Sequence, residues 1–308
     1  FIGNIELEDV VFSNITNHNS LITFIAQSVS VIDVQILNCS CAAMANINAS
    51  DSVTIVDASV TRSSFSTLAT IYSGRNIILN TWHVQEVEIK QLFTLGSGNS
   101  SHLENFFVHD LSIVAEEHFI YTYSGDVYIS NTMISSITGV TDSVASASAN
   151  LYLFNFTLEH VITNHLFPVY GSSMIMDGLL CSNVTQLSDT EITKPNILSA
   201  ATLVLQYVLL EDSIFHSSFI FSSMEERNIT MEHCTFSNLK VKESFLRLFL
   251  SSGNVNVANC TFDNLIYKAS YNPKTFSILF VVHGGANVTI SDCHFQNNLG
   301  TCLSTFVF

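Results

Sequence analysis

Apolar and polar positions along this chain repeat in a unit of about 24 to 26 residues that returns twelve times. Each copy reads polar, apolar, any residue, apolar, two turn residues, apolar, any residue, apolar. The copies begin at Asn4, Ser28, Ser52, Asn76, Ser100, Asp126, Asn150, Ser173, Thr202, Asn228, Asn254 and Asn287. Alternation with a period of two in runs this short predicts β-strands, because helical spacing does not survive the two-residue breaks. A fixed period also indicates one small unit stacked on copies of itself.

Two places in the unit hold apolar residues with great regularity. The fourth place is apolar in every copy and is occupied by Leu7, Val31, Ile55, Leu79, Leu103, Ile129, Leu153, Met176, Leu205, Met231, Val257 and Ile290. The ninth place is nearly as strict and is occupied by Phe12, Ile36, Val60, Val84, Val108, Ile134, Leu158, Cys181, Leu210, Phe236, Phe262 and Phe295. We expect both columns to face a common core.

A turn separates the two alternating runs of each unit. Its second residue is Asn or Asp in most copies, at Asp9, Asp33, Asp57, Asn105, Asn131, Asn155, Asn259 and Asp292. Asn and Asp tolerate the left-handed backbone region and can form local hydrogen bonds, as a sharp corner requires. A third apolar stretch follows the corner, for example Leu21–Ile25 or Phe245–Leu250. Each coil is therefore predicted to supply three short strands.

Stacked coils of this kind resemble the right-handed parallel β-helix of the pectin-lyase-like superfamily, and the resemblance covers essentially the whole chain. It implies an all-β, single-domain solenoid of about 12 coils over residues 1–308. The segments Gln186–Asn196 and Tyr267–Lys274, where the repeat lengthens around proline, are expected to be loops. The units CTFSNL, CTFDNL and CHFQNN are similar to repeats of large β-helical extracellular surface proteins of protists and of bacterial adhesins.

The two ends of the sequence lack the polar capping units that a solenoid needs to cover its open coils. The repeat is already in phase at Asn4, and the last residues again have the composition of a strand. We expect either a segment of a longer chain or a subunit with open ends.

The resemblance also raises the question of enzymatic activity, since the family includes pectin-degrading enzymes. Their N-x-D, D-D, G-H-G and R-x-K strings are absent from this sequence. The chain carries 10 Lys and Arg against 26 Asp and Glu, a net charge of −16. The negative electrostatic field that results from this charge repels acidic polysaccharides and nucleic acids. The sequence therefore favours a non-enzymatic protein. It predicts no catalytic residue and no nucleic-acid partner.

Nine N-x-S/T sequons are present, none with proline in the middle, and each is a potential acceptor of an N-linked glycan. They begin at Asn14, Asn38, Asn48, Asn99, Asn155, Asn183, Asn228, Asn259 and Asn287. We expect glycosylation of several of them and hence an extracellular or cell-surface location. The alternative is that these side chains point inward as a hydrogen-bonded ladder, which could not carry sugar.

Cysteines and acidic residues leave further alternatives open. Cys234, Cys260 and Cys293 share the inward seventh place of successive copies, where they are either a disulfide site or small core residues. Asp9, Asp33 and Asp57 share one turn column, where backbone amides are favoured over calcium as partners. No other metal or cofactor is predicted. No apolar run approaches the eighteen residues of a membrane span, so no direct membrane insertion is expected.

The third and eighth places should face solvent, yet they become apolar in the middle coils. The residues concerned are Ile78, Phe107, Tyr128, Met133, Tyr152, Ile175, Leu180, Val204 and Leu209. A contiguous apolar strip on an outer surface indicates contact with a partner. Two alternatives remain: a slightly different register that buries these residues, or a carbohydrate platform built from Tyr128 and Tyr152.

Two functional hypotheses follow from these features. The favoured one is a non-enzymatic extracellular structural glycoprotein that forms a rod, surface coat or filament. It would do so by end-to-end or lateral contacts with copies of itself or with other surface proteins. The alternative is a polysaccharide-binding or polysaccharide-cleaving β-helix with a diverged site.

Overall fold

The computed structural model describes residues 3–114, 118–123, 125–139, 141–169, 173–187, 197–198, 202–216, 220–222, 226–241, 246–249, 252–267, 280–283, 287–299 and 304–307. These residues form an all-β, parallel β-solenoid without α-helix, which confirms the predicted fold class. Within them, no helix is long and apolar enough to cross a membrane. The chain divides into two compact units, Phe1–Tyr152 and Leu153–Phe308. The single-domain organisation stays a prediction.

The strands of the first unit run through several corners and are correspondingly long. They are β1 (Ile5–Ser13), β2 (Ser20–Leu37), β3 (Ser40–Thr61), β4 (Ser64–Ser73), β5 (Asn76–Gln85), β6 (Glu88–Ser97), β7 (Ser100–Ile113), β8 (His118–Thr122), β9 (Asp126–Thr138) and β10 (Thr141–Ala147). Strand β11 (Leu151–Glu159) includes the boundary between the units.

The register of the first unit is parallel and follows the repeat. Fourth-place residues pair in sequence from Leu7 with Val31 through to Leu103 with Ile129. All members of this column from Val31 onward are buried, whereas Leu7 in the first described coil is half-buried. The alternation predicted from the sequence is confirmed here, because neighbouring coils place the same apolar position over the same core.

Corners are made by single residues in the left-handed region. The predicted Asn and Asp corner residues all have positive φ, between 49° at Asn155 and 58° at Asn105. A second corner follows five residues later in each coil and uses a wider range of residue types, including Arg62 and Glu86. The corner N–H of Asn38 still donates to Thr61 O of the next coil, at 3.2 Å. The chain therefore turns without giving up hydrogen bonds between coils.

The second unit has shorter strands. They are β12 (Ile162–His165), β13 (Phe167–Pro168), β14 (Ser173–Ser182), β15 (Thr185–Gln186), β16 (Ile197–Leu198), β17 (Thr202–Gln206), β18 (Leu209–Glu211), β19 (Ile214–Phe215), β20 (Ile220–Ser222), β21 (Glu226–Glu232), β22 (Thr235–Ser237), β23 (Lys240–Val241), β24 (Leu246–Phe249), β25 (Ser252–Ala258), β26 (Thr261–Asp263), β27 (Ile266–Tyr267), β28 (Phe280–His283), β29 (Asn287–Ser291), β30 (His294–Gln296) and β31 (Ser304–Val307).

The third predicted stretch of each coil forms a separate sheet in the second unit, made of β13, β16, β20, β24, β28 and β31. A short strand such as β19 lies between the second corner and this sheet, which the sequence pattern did not predict. The fourth-place column pairs Met176, Leu205, Met231, Val257 and Ile290 in order. The first four are buried, and Ile290 is exposed.

Two details differ from the sequence prediction or extend beyond the described residues. The solenoid has about nine turns, slightly fewer than the 12 predicted coils, and several coils of the second unit include residues outside the described ranges. The predicted loops Gln186–Asn196 and Tyr267–Lys274 begin where β15 and β27 end, and most of their residues lie outside those ranges.

Candidate functional site

The predicted contact residues of the first unit lie on the outer surface of its strands. Ile78 on β5, Phe107 on β7 and Met133 on β9 are 42%, 41% and 37% exposed, and Phe107 pairs directly with Met133. Tyr128 and Tyr152 are half-buried. The alternative register, which would have placed these side chains in the core, is wrong. We call these five residues the first outer strip.

An aromatic stack runs along the third-place column of this strip. The ring of Tyr128 lies 4.7 Å from that of His102 and 4.6 Å from that of Tyr152, with interplanar angles of 7° and 8°. Both faces of Tyr128 are therefore covered by other rings. A sugar packs on the face of an aromatic ring, so Tyr128 presents only its edge to a ligand. The stack disfavours the carbohydrate platform considered for Tyr128 and Tyr152.

The close packing of this stack also affects the pKa of the Tyr152 phenol. Burial, followed by the charge of Asp126 and by Tyr128, raises the pKa of Tyr152 above its ordinary value. A phenol whose pKa is raised stays protonated at neutral pH and acts as a hydrogen-bond donor. Tyr152 is thus a neutral, half-buried contact group.

A shallow groove of about 400 Å³ lies beside the eighth-place column. His83 and Phe107 stack at 5.2 Å along it, and Met133 lines it on the next coil. At its rim, His109 Nδ1 lies 3.0 Å from Asp110 Oδ2, and both side chains are solvent-accessible. Glycoside hydrolysis needs two carboxyl groups facing each other across the substrate. The residues that line this groove include one carboxyl group, so the groove offers an apolar contact surface with a polar rim.

A second aromatic groove was missed by the sequence analysis. Tyr72 and Tyr123 lie one coil to either side of Gly96 in the same column, and their ring centroids are 6.2 Å apart at an angle of 30°. A Cβ at Gly96 would meet Tyr72 Cδ1 at 2.7 Å, so only glycine lets the two rings close over this coil. Asn48, one of the sequon asparagines, pairs with Tyr72 and lines the same groove.

The hydroxyl groups of these two tyrosines are close as well. Burial, followed by the charge of Tyr72 and a hydrogen bond to it, raises the pKa of Tyr123. The signal that could have revealed this groove was a glycine between two tyrosines at one-repeat spacing. Locating it required the register of the third stretch, which has no Asn or Asp marker.

The predicted contact residues of the second unit are less exposed. Ile175 pairs with Val204 and Leu180 pairs with Leu209 on successive coils, and all four are half-buried. On the next coil, Val204 pairs with Thr230 and Leu209 pairs with Thr235, so both columns continue into threonine. This second outer strip is therefore short and ends in polar residues.

Every sequon asparagine lies at the surface. Asn14, Asn38, Asn48, Asn99, Asn155, Asn183, Asn228, Asn259 and Asn287 are all exposed. Asparagine ladders do form, but on the outside: Asn38 Nδ2 donates to Asn14 Oδ1 at 3.3 Å. The alternative of an inward ladder is wrong. Attachment of glycans stays a prediction.

The column of Asp9, Asp33 and Asp57 consists of exposed corner residues with φ between 54° and 57°. Among the described residues, no group of three or more His, Cys, Asp or Glu is arranged to hold a metal ion. Further along the corner column, Asn131 donates to Asn105 at 3.3 Å. These corners are thus sites of local hydrogen bonding.

Comparisons with other proteins add no assignment: no family model matches the chain, and no curated protein or solved structure is significantly similar to it.

Proposed function

We propose that this chain is a non-enzymatic extracellular structural glycoprotein, a β-solenoid of the pectin-lyase-like type that contributes to a surface coat or filament. The observation that carries the proposal is the exposure of all nine sequon asparagines on a chain of only 308 residues. Exposed acceptors are a requirement for glycans on a folded surface. The similarity of the CTFSNL-type units to repeats of protist and bacterial surface proteins supports the same conclusion.

The first outer strip supports assembly through lateral contacts with copies of this chain or with other surface proteins. Its three most exposed members, Ile78, Phe107 and Met133, are large apolar side chains on adjacent strands. Covering the exposed part of each would contribute roughly 1 kcal/mol to association. The net charge of −16 makes copies of the chain repel each other electrostatically. Burial of the apolar strip would supply the attraction that overcomes this repulsion.

Glycosylation is tested by secreting the chain from eukaryotic cells and mapping the sites by mass spectrometry before and after enzymatic deglycosylation. We expect several occupied sequons. Asn155 and Asn131 are both exposed corner residues, but only Asn155 begins a sequon. The substitutions Asn155→Gln and Thr157→Ala should each remove the same glycan, whereas Asn131→Gln should remove none. A secreted chain with unmodified asparagines would overturn the proposal.

Assembly is tested with the double variant Phe107→Ser/Met133→Ser. Self-association measured by sedimentation velocity and by electron microscopy should weaken at least tenfold. The matched control is Tyr207→Ser, which changes a residue that is 61% exposed and belongs to the second unit. Equal assembly of the double variant and the control would exclude the first outer strip as the contact surface.

The groove formed by Tyr72, Gly96 and Tyr123 favours a second candidate, a polysaccharide-binding solenoid. Tyr72 and Tyr123 are 41% and 48% exposed, and Tyr121 lies edge-on against Tyr123 at 4.6 Å, so a part of each ring is accessible to a sugar. Arrays of neutral oligosaccharides provide the test, because the net charge disfavours acidic ones. Binding that is lost in Tyr123→Ala and retained in Tyr207→Ser would favour this candidate over a purely structural role.

A further inference from the structure

Three cysteines form a column inside the second unit. Cys234, Cys260 and Cys293 each follow directly after a first-corner residue with φ between 52° and 54°. The residues after them pair in register, and the coils are joined by hydrogen bonds from Thr261 N to Cys234 O and from His294 N to Cys260 O, both 2.9 Å. The three thiols therefore lie over one another on successive coils.

The thiols are anchored by backbone carbonyls. Cys260 Sγ donates to Ala258 O at 3.1 Å, and Cys293 Sγ donates to Ser291 O at 3.1 Å. Thr132 Oγ1 makes the equivalent bond to Ser130 O, so a small donor at this place can bond to the carbonyl two residues earlier. A threonine would make this bond equally well. The local role alone does not explain three successive cysteines.

The middle sulfur is contacted by both neighbours. A hydrogen bond from Cys234, together with one from Cys293, holds the pKa of Cys260 to about 7, below its ordinary value. The same hydrogen bond and burial raise the pKa of Cys234. Cys260 therefore loses its proton, and with it the hydrogen bond to Ala258 O, more readily than Cys234 or Cys293, whose pKa values are raised.

We propose that Cys260 and Cys293 are a redox modification site that closes to a reversible disulfide between successive coils. Cys234 and Cys260 are almost completely buried, whereas Cys293 is half-buried and is the one that an external oxidant reaches. Neighbouring strands of a sheet are about 4.8 Å apart. This spacing falls within the range of about 4.4 to 6.8 Å between the Cα atoms of bridged cysteines.

The oxidant is a dialkyl disulfide such as oxidised glutathione. Cys293 first loses its proton, and its sulfur then attacks one sulfur of the oxidant and breaks the S–S bond. The sulfur that leaves takes up that proton and is released as a thiol. The Cys260 thiolate then attacks Sγ of Cys293 in the mixed disulfide and releases the second thiol, which takes up the proton lost by Cys260. Two cysteine thiols are oxidised by two electrons, and one disulfide is reduced to two thiols.

Cys39 and Cys41 in the first unit provide an internal comparison. They lie on the same side of one segment, and Cys39 Sγ donates to Leu37 O at 3.5 Å. Burial raises the pKa of Cys41 and the neighbouring Cys39 raises it further, in contrast to Cys260, whose pKa is lowered by its neighbours. We expect the Cys39 and Cys41 pair to remain reduced under conditions that oxidise the column. This inference does not depend on the proposed function, since the chemistry requires only a disulfide oxidant.

The test uses the reduced full-length chain treated with oxidised glutathione at neutral pH. Free thiols are then blocked by alkylation, and the chain is digested without reduction for mass spectrometry. We expect a Cys260–Cys293 linked peptide pair that is lighter by two hydrogen atoms and disappears on reduction. The wild-type map needs no substitution, so a variant that fails to fold does not affect it.

Variants then assign the roles. Cys293→Ser should abolish the linked pair, whereas Cys234→Ser and Cys39→Ser should retain it. A Cys234–Cys260 pair, a Cys39–Cys41 pair alone, or seven alkylated thiols after oxidation would each overturn the proposal.

Discussion

Aromatic residues fill the core of the two units in different ways. In the first unit, Trp82 and Phe106 stack at 5.6 Å, and Phe93 meets both of them edge-on at 5.3 Å. In the second unit, Phe262 stacks between Phe236 and Phe295, at 5.2 Å and 5.0 Å. The first arrangement joins strands β5, β6 and β7, whereas the second repeats one residue at one place of successive coils.

The difference shows that the core of a repeat protein can be filled either by identical side chains or by side chains of complementary shape. A column of identical rings adopts the spacing between coils, and its last described ring, Phe295, is left 36% exposed. The cluster of the first unit is completely buried, but Trp82 Nε1 has no hydrogen-bond partner among the described residues. An unsatisfied buried donor costs about 1 to 3 kcal/mol. Among the described residues, the column leaves the Phe295 ring partly exposed, whereas the cluster buries all of its rings together with the unpartnered N–H group of Trp82.

The largest expected effect is in the column. Phe262→Ala removes a fully buried ring that is stacked on both faces, and it should lower the free energy of unfolding by about 3 to 5 kcal/mol. The control is Phe295→Ala, with one stacked face and partial exposure, which should cost roughly 1 to 2 kcal/mol. Urea unfolding followed by circular dichroism measures both. Equal losses would contradict the view that stability is gained from neighbours on both sides.

An intermediate effect is expected in the cluster. Phe93→Leu keeps an apolar side chain but loses two edge-to-face contacts, which should cost about 1 to 2 kcal/mol. Trp82 is the single tryptophan of the chain, so its fluorescence reports on this unit directly. An unchanged unfolding midpoint by fluorescence would show that the edge contacts do not contribute.

The smallest effect is expected at the indole itself. Trp82→Phe loses apolar contact area but removes the unpartnered N–H, so the two terms offset and the stability should change by about 1 kcal/mol or less. Thermal unfolding followed by circular dichroism measures this change. A loss of 3 kcal/mol or more in the free energy of unfolding would indicate that Trp82 Nε1 has a hydrogen-bond partner in solution. The two cores would then differ only in how their rings pack.

Much of the fold could be predicted because its signals are local and repeated. Asp9, Asn105 and Asn259 mark corners since their side chains tolerate the left-handed region, and all three adopt it. The second corner was harder to predict from the sequence, because Arg62 and Glu86 have no intrinsic preference for the left-handed region. Stacking on neighbouring coils holds both residues in it. The apolar outer positions of the first unit were predicted as well, because they break the alternation within a single strand.

The candidate sites depended more on contacts between coils. The sequence contains Tyr72, Gly96 and Tyr123, but nothing local to any of them indicates that two rings close over a glycine. The seventh place of Cys234, Cys260 and Cys293 could be read from the repeat. The hydrogen bonds that distinguish Cys260 from its neighbours could not, because they require the three sulfurs in position.

The sequence by itself determined the period, the strand class, the inward columns and the corner residues with an Asn or Asp side chain, because these follow from backbone preference and from alternation within a few residues. Only the tertiary structure decided which way each asparagine and tyrosine faces, which rings cover each other, and which thiol is activated. These properties depend on the register between residues about one repeat apart, and that register is fixed by packing across coils.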